Sequence, residues 1–104
     1  MLEKKVRYHG DSEKCLLAFP KQIIECYAQD LEFLRYGLQP LSKVKPMKGL
    51  GKGVCELKRN GKPAYRLVYV IVEDVIHVLH AFSKTSDGTD KKHENTIKIR
   101  FGNL

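Results

Sequence analysis

Three strand-like segments follow one another with almost no chain between them, at Val54 to Arg59, Ala64 to Val72 and Val75 to Ser83. The last two are rich in Val, Ile, Leu and Tyr, residue types that fit a pleated, half-buried surface. Asn60-Gly61 is a strong two-residue hairpin signal, and Glu73-Asp74 is a weaker one. A parallel crossover needs a dozen or more residues, so links this short dictate an antiparallel meander.

The segments before the meander have a different period. Lys4 to His9 is a short β-branched and aromatic run ending at Gly10, which predicts a first strand. Asp11 or Ser12 is placed to cap a helix whose apolar face is Cys15, Leu16 and Phe19. Pro20 interrupts it, because the residue before a proline is pushed out of α geometry while proline itself suits a first helical turn. A second helix follows with Ile23, Ile24, Tyr27, Ala28, Leu31 and Leu34 on one side, and Gly37 stands where a left-handed C-terminal cap belongs. Gln39 to Gly53 shows prolines and glycines without a period and is expected to be a loop. After Thr89, His93, Ile97 and Phe101 recur every four residues while Ile97, Ile99 and Phe101 alternate. The preferred reading is a short helix capped by Thr89 or Asp90.

The whole is expected to be a single α+β domain over 1–104, two N-terminal helices lying on one face of a small, mostly antiparallel sheet. No apolar run reaches the roughly 18 residues that a membrane helix needs, and the first residues lack the apolar stretch of a signal peptide, so a cytoplasmic protein is expected. Cys15, Cys26 and Cys55 form an odd set without C-x-x-C spacing, which argues for small apolar packing residues and against a disulfide framework or zinc knuckle.

Charge is unevenly distributed. Residues 1–37 carry six basic and six acidic side chains. Between Lys43 and Arg66 lie eight basic residues (Lys43, Lys45, Lys48, Lys52, Lys58, Arg59, Lys62 and Arg66) against Glu56 alone, which accounts for the formal charge of +7. A local surplus of this kind points to a polyanion.

Within this framework, Lys48-Gly49-Leu50-Gly51, Glu56-Leu57-Lys58, Tyr65-Arg66-Leu67-Val68-Tyr69 and Leu79-His80-Ala81-Phe82-Ser83-Lys84 occur in the order found in RelE/HigB-like toxins. The chain resembles that family over nearly its whole length, and its phage-derived branch in particular. The resemblance implies the toxin of a type II toxin–antitoxin pair, an endoribonuclease that cuts messenger RNA on the ribosome without metal or other cofactor, and an antitoxin partner that often carries a helix-turn-helix. It implies that Arg66 and Lys84 act at the scissile phosphate. Lys58 stands where this branch commonly has arginine, and lysine lacks the planar bidentate grip on phosphate. Lys43, Lys45, Lys48, Lys52, Arg59, Lys62 and Lys92 are the candidate RNA contacts. His80 and His93 are candidates for proton transfer. His77 and His80, three apart on a strand, are expected on opposite faces, which excludes a simple two-histidine metal pair.

Strand register tests these assignments. A two-residue turn at Glu73-Asp74 sets Arg66 opposite Ala81 and sends Lys84 to the other face, whereas one extra residue or a bulge pairs Arg66 with Phe82 and brings Lys84 beside it. Strict Asn60-Gly61 pairing sets Arg66 opposite Cys55 and puts Lys58 on the Tyr65 face. Two rivals remain: a ParE-like gyrase inhibitor of the same fold, with no catalytic need for Arg66, and a non-catalytic RNA-binding module.

Overall fold

A computed structural model describes residues 3–85 and 91–104. Its elements run β1 (Lys5–Tyr8), α1 (Ser12–Leu17), α2 (Lys21–Arg35), β2 (Lys43–Pro46), β3 (Cys55–Arg59), β4 (Ala64–Val72), β5 (Val75–Lys84) and α3 (Lys91–Gly102). The five strands form one sheet in the order β1-β5-β4-β3-β2. β1 pairs with β5 in parallel and every other pair is antiparallel. The α+β class and the helical hairpin are as expected, and no described helix is long and apolar enough to cross a membrane.

α2 is held to the sheet by its apolar stripe and by two polar anchors. Tyr27, Leu31 and Leu34 are buried with Leu57, Leu67, Tyr69, Ile76 and Val78 of the sheet. Each such side chain contributes roughly 1.5–3 kcal/mol by leaving water. The Tyr27 hydroxyl donates to the Leu57 carbonyl at 3.0 Å. Asp30 is fully buried, and its carboxylate accepts from the backbone N–H groups of Leu41 and Ser42 and from the Ser42 hydroxyl. The helix ends as its glycine requires: Gly37 takes φ +73°, its N–H reaches the Leu34 carbonyl, and that of Leu38 reaches Phe33,.

Four local expectations are corrected. Residues 43–46 are not loop but an edge strand, because Asp30 fixes the chain entering it and Lys43 to Pro46 find ladder partners in β3. Lysines and a proline on this outermost strand also keep the edge from templating further strands. Asp11 does not cap α1 with its side chain, which is engaged by Arg100, and the Ser12 hydroxyl donates instead to the Val78 carbonyl.

Asn60-Gly61 does not make a two-residue turn: Arg59 pairs with Tyr65 and Lys58 with Arg66, leaving a longer connection that contains Pro63. The tight turn would have put Leu57 on the face of Arg66; the observed register sets Leu57 opposite Leu67 and Cys55 opposite Tyr69, so apolar burial outweighs the local turn preference,. Glu73-Asp74 is a two-residue turn as expected, with Glu73 at φ +55°, and of the two registers left open the bulged one is realised: Leu79 is inserted between the pairs Val68–His80 and Tyr69–Val78, which sets Arg66 opposite Phe82 and overturns the fourth expectation, on the histidines,. His77 then pairs with Val70 and His80 with Val68, so both histidines share one face rather than opposite ones.

That second face has its own apolar cluster. Val68, Val70, Leu79 and Phe82 are covered by Leu50 and Val54 from the segment before β3 and by Ile97 of α3, with Phe101 alongside. The tail is therefore a helix, its period of four realised by His93, Ile97 and Phe101. The expected caps Thr89 and Asp90 lie outside the described residues. Cys15, Cys26 and Cys55 are free thiols, each half-buried.

Candidate nucleic-acid interface

Residues paired directly across a ladder point to the same side of a sheet, so the register gathers the basic surplus into rows. Lys43 is opposite Lys58, Lys58 is opposite Arg66, and Arg66 is opposite Phe82. The next row is Lys45, Glu56, Val68 and His80. Lys84 pairs with Ala64 and lies diagonally beside Arg66. The bulge at Leu79 is what brings Lys84 to this face. Lys58, Arg66 and Lys84 thus share one face, the side opposite α2.

Like charges directly across a ladder oppose folding, and here three cations stand side by side. Part of the repulsion is offset from below. Arg66 is only 4% exposed; its Nη1 donates to the Tyr65 carbonyl at 2.8 Å, its Nη2 to Asn60 Oδ1 at 3.2 Å, and its Nε lies 4.0 Å from Glu56 Oε1. Glu56 is equally buried, and neither its Oε2 nor Arg66 Nε has a hydrogen-bond partner among the described residues. Buried polar groups are as a rule hydrogen-bonded, so both atoms are costly where they stand. Lys58 is half-buried, and burial, then Arg66 and Lys45, push its ammonium below the usual lysine range.

Two grooves flank these rows. One, of about 660 Å3, runs between the segment after β2 and α3 and is lined by Lys45, Lys48 and Lys98 with Glu56 and Glu94. The other, of about 450 Å3, is bordered by His80, Phe82, Lys92, His93 and Arg100. In it the His93 ring stacks on Phe82, with centroids 4.2 Å apart and planes 13° from parallel. His80 Nε2 lies 2.8 Å from His93 Nδ1. His80 is 7% exposed, and burial, reinforced by His93 and Arg100, pushes its imidazole down to about 4.

The remaining candidates divide. Lys43, Lys45, Lys48, Lys52, Lys62 and Lys92 are exposed. Lys43 and Lys45 belong to the rows, Lys48 to the first groove, Lys92 to the second, and Lys52 and Lys62 to connecting segments. Arg59 pairs with Tyr65, which packs among the α2-side residues, so it faces away from the rows. Sequence reading missed Glu56 and Asn60 as the partners of Arg66, Asp30 as the anchor of β2, and Arg100, which joins α3 to Asp11 at 2.7 Å and to the Leu79 carbonyl at 2.9 Å. It also gave no role to His9, whose Nε2 is 2.8 Å from His77 Nδ1. An aspartate spaced three residues from Tyr27 and four from Leu34, on the side of the apolar helical stripe, was the one sequence signal available for Asp30; the others are joined only by tertiary pairing.

Residues 14–102 match the family described as phage-derived protein Gp49-like (DUF891). The chain belongs to the Gp49-like family. Among solved structures this Gp49-like chain is similar to the toxin–antitoxin complex RelBE2 from Mycobacterium tuberculosis, with 22% identity, a TM-score of 0.57, and 83% of this chain and 97% of that one covered. It is similar also to a doubly arginine-substituted E. coli toxin RelE in the free state, with 16% identity, a TM-score of 0.64, and 94% and 96% covered. Among curated proteins none matches this chain. The Gp49-like chain therefore has the RelE fold, as the sequence motifs implied.

Proposed function

We propose that this Gp49-like chain is the toxin of a type II toxin–antitoxin pair and that it cuts messenger RNA on the ribosome with Lys58, Arg66 and Lys84. The observation that carries the reading is the unbroken cross-strand row Lys43, Lys58, Arg66, an arrangement that opposes folding and is relieved by a bound polyanion,. The likeness to RelE structures, one of them a toxin–antitoxin complex, supports the same reading and an antitoxin as partner, of the helix-turn-helix kind on the motif resemblance.

RNA supplies its own nucleophile. The 2'-hydroxyl attacks the adjacent phosphorus, the bond from phosphorus to the 5'-oxygen breaks, one base takes the 2'-proton, and one acid returns a proton to the leaving oxygen. No metal is needed for this balance. Lys58, its basicity lowered by burial and by Arg66, serves as the base from its neutral fraction,. Arg66 exchanges Asn60 and the Tyr65 carbonyl for phosphate oxygens and neutralises the phosphorane. Lys84 supplies the proton to the 5'-oxygen. Lys43, Lys45, Lys48, Lys92 and Lys62 hold the flanking phosphates. A general acid or base contributes roughly 100- to 10,000-fold, modest enough to depend on the ribosome for substrate alignment.

The test is primer extension on messenger RNA in a purified translation system, comparing wild type, Lys58→Ala, Arg66→Ala and Lys84→Ala with and without ribosomes. Ribosome-dependent cuts that fall at least 100-fold in each variant are expected. Absence of cuts from folded wild-type protein refutes the nuclease reading, and gyrase inhibition is then the assay to run.

A further inference from the structure

Glu56 stands one row from the basic site and borders a different space. It is two residues from Lys58 on β3 and on the same face, roughly 7 Å along the strand,. Its row, Lys45, Glu56, Val68 and His80, runs beside the groove of about 660 Å3 between the segment after β2 and α3, and Glu56 is part of that groove's lining. A space of this size is in the range of small-ligand sites.

The carboxylate has accepting capacity that the chain leaves unused. Its Oε2 is buried with no hydrogen-bond partner among the described residues, and its Oε1 lies 4.0 Å from Arg66 Nε, too far for a hydrogen bond,. It holds Arg66 by charge alone, which is costly for a polar group only 4% exposed,. Glu94 lines the same groove from α3, so a phosphate entering it would meet two carboxylates,. The group that fits is therefore uncharged and rich in donors. Met47 and Leu50 give the groove apolar walls, and Lys48 and Lys98, both exposed, bring ammonium groups to its border. Apolar wall, acceptor and cation together complement a nucleobase, whereas the neighbouring row of cations complements the phosphate backbone.

We propose that this groove takes the base of a guanine nucleotide next to the scissile phosphate, with Glu56 accepting from its N1–H and N2–H and Lys98 donating to its O6. Guanine is the one RNA base with two donors side by side on its Watson–Crick edge, and these match the two oxygens of a carboxylate. Adenine and cytosine offer an amine next to a bare ring nitrogen, and the single N–H of uracil lies between two carbonyls that would face the carboxylate. Single-stranded RNA presents this edge once a base is splayed out. The groove is coupled to the basic row through Arg66: a phosphate bound there supplies the counter-charge that Glu56 supplies in the free chain, which releases the carboxylate to turn to the base,. The scissile phosphate rests on the nuclease reading; the choice of guanine rests on the groove and its unmet carboxylate.

The test is the affinity of the full chain for 2'-O-methyl hexauridylate, which cannot be cleaved, carrying guanine, 7-deazaguanine, hypoxanthine or adenine at one central position. Guanine and 7-deazaguanine, which share the same donor edge, should bind about 10-fold or more tightly than uracil or adenine, and hypoxanthine, which stacks like guanine but lacks the N2 amine, should lose about 3-fold or more. The carboxyl carbon NMR signal of Glu56 should move further with the guanine oligonucleotide than with hexauridylate. Glu56→Asp, which keeps the charge beside Arg66 but is one methylene shorter, should lower the guanine preference to less than about 3-fold while keeping the affinity for hexauridylate; should that variant not fold, the base series and the carboxyl signal of wild type decide alone. Equal affinity across the bases, hypoxanthine binding as guanine does, 7-deazaguanine as weak as uracil, or a Glu56 signal that moves alike with both oligonucleotides overturns the proposal. Cleavage by wild type with no guanine preference removes this site and leaves the nuclease reading intact; guanine-selective binding with no cleavage on ribosomes does the reverse.

Discussion

Lys58 and Arg66 are direct partners across the β3–β4 ladder, with Lys43 on the far side of Lys58. Two cations in that relation weaken the pairing by roughly 0.2–1 kcal/mol. Replacing Lys58 by Gln should therefore raise folding stability by up to about 1 kcal/mol while lowering RNA cleavage by 100-fold or more, a separation visible by comparing urea midpoints with primer extension. A variant that loses stability and activity together would show that Lys58 is a packing residue.

Glu56 and Arg66 neutralise one another beneath that row. Removing one member leaves a buried charge alone, so Glu56→Gln should destabilise the chain by about 3 kcal/mol, whereas Glu56→Gln combined with Arg66→Met should recover most of the loss. A double-mutant cycle in urea measures the coupling; additive losses would mean that the two side chains are not energetically linked.

Asp30 controls the edge strand from the opposite face. It receives three hydrogen bonds from Leu41 and Ser42, and Asp30→Ala leaves those buried donors unmet at a cost of about 3 kcal/mol,. Hydrogen exchange should quicken at residues 41–46 before it does elsewhere, and RNA affinity should fall with the freeing of Lys43 and Lys45. Uniform exchange across the sheet would instead assign Asp30 to global stability alone.

The imidazoles make stability depend on pH with a definite sign. His80 titrates near 6.5 when unfolded and near 4 when folded, so between those values the unfolded chain binds more protons. Stability contributed by the neutral ring is complete above pH 6.5 and is lost as pH falls towards 4, by up to about 3 kcal/mol. His9 and His77, lowered chiefly by burial, act in the same direction. Urea midpoints taken from pH 7 to 4.5 should fall in wild type and fall less in His80→Gln; parallel curves would count against the burial of an uncharged His80.

Sequence alone determined the elements whose cause is local. The apolar stripe from Ile23 to Leu34 and the glycine at 37 specify α2 and its end, the runs after Val54 specify the meander, and the spacing of His93, Ile97 and Phe101 specifies α3. The motifs around Arg66 and Lys84 likewise pointed to the RelE fold and to the residues of the candidate site. Tertiary structure alone decided how those residues meet. A strand has a period of two, so one residue of slip reverses every side chain, and the parity of β3 against β4 was set by burying Leu57 with Leu67 and Tyr69, against the turn preference of Asn60-Gly61,. The same non-local packing inserted Leu79 as a bulge, returning Lys84 to the face of Arg66 and turning His80 toward His93. Side-chain chemistry is written along the chain; its juxtaposition belongs to the core that forms between segments far apart in sequence.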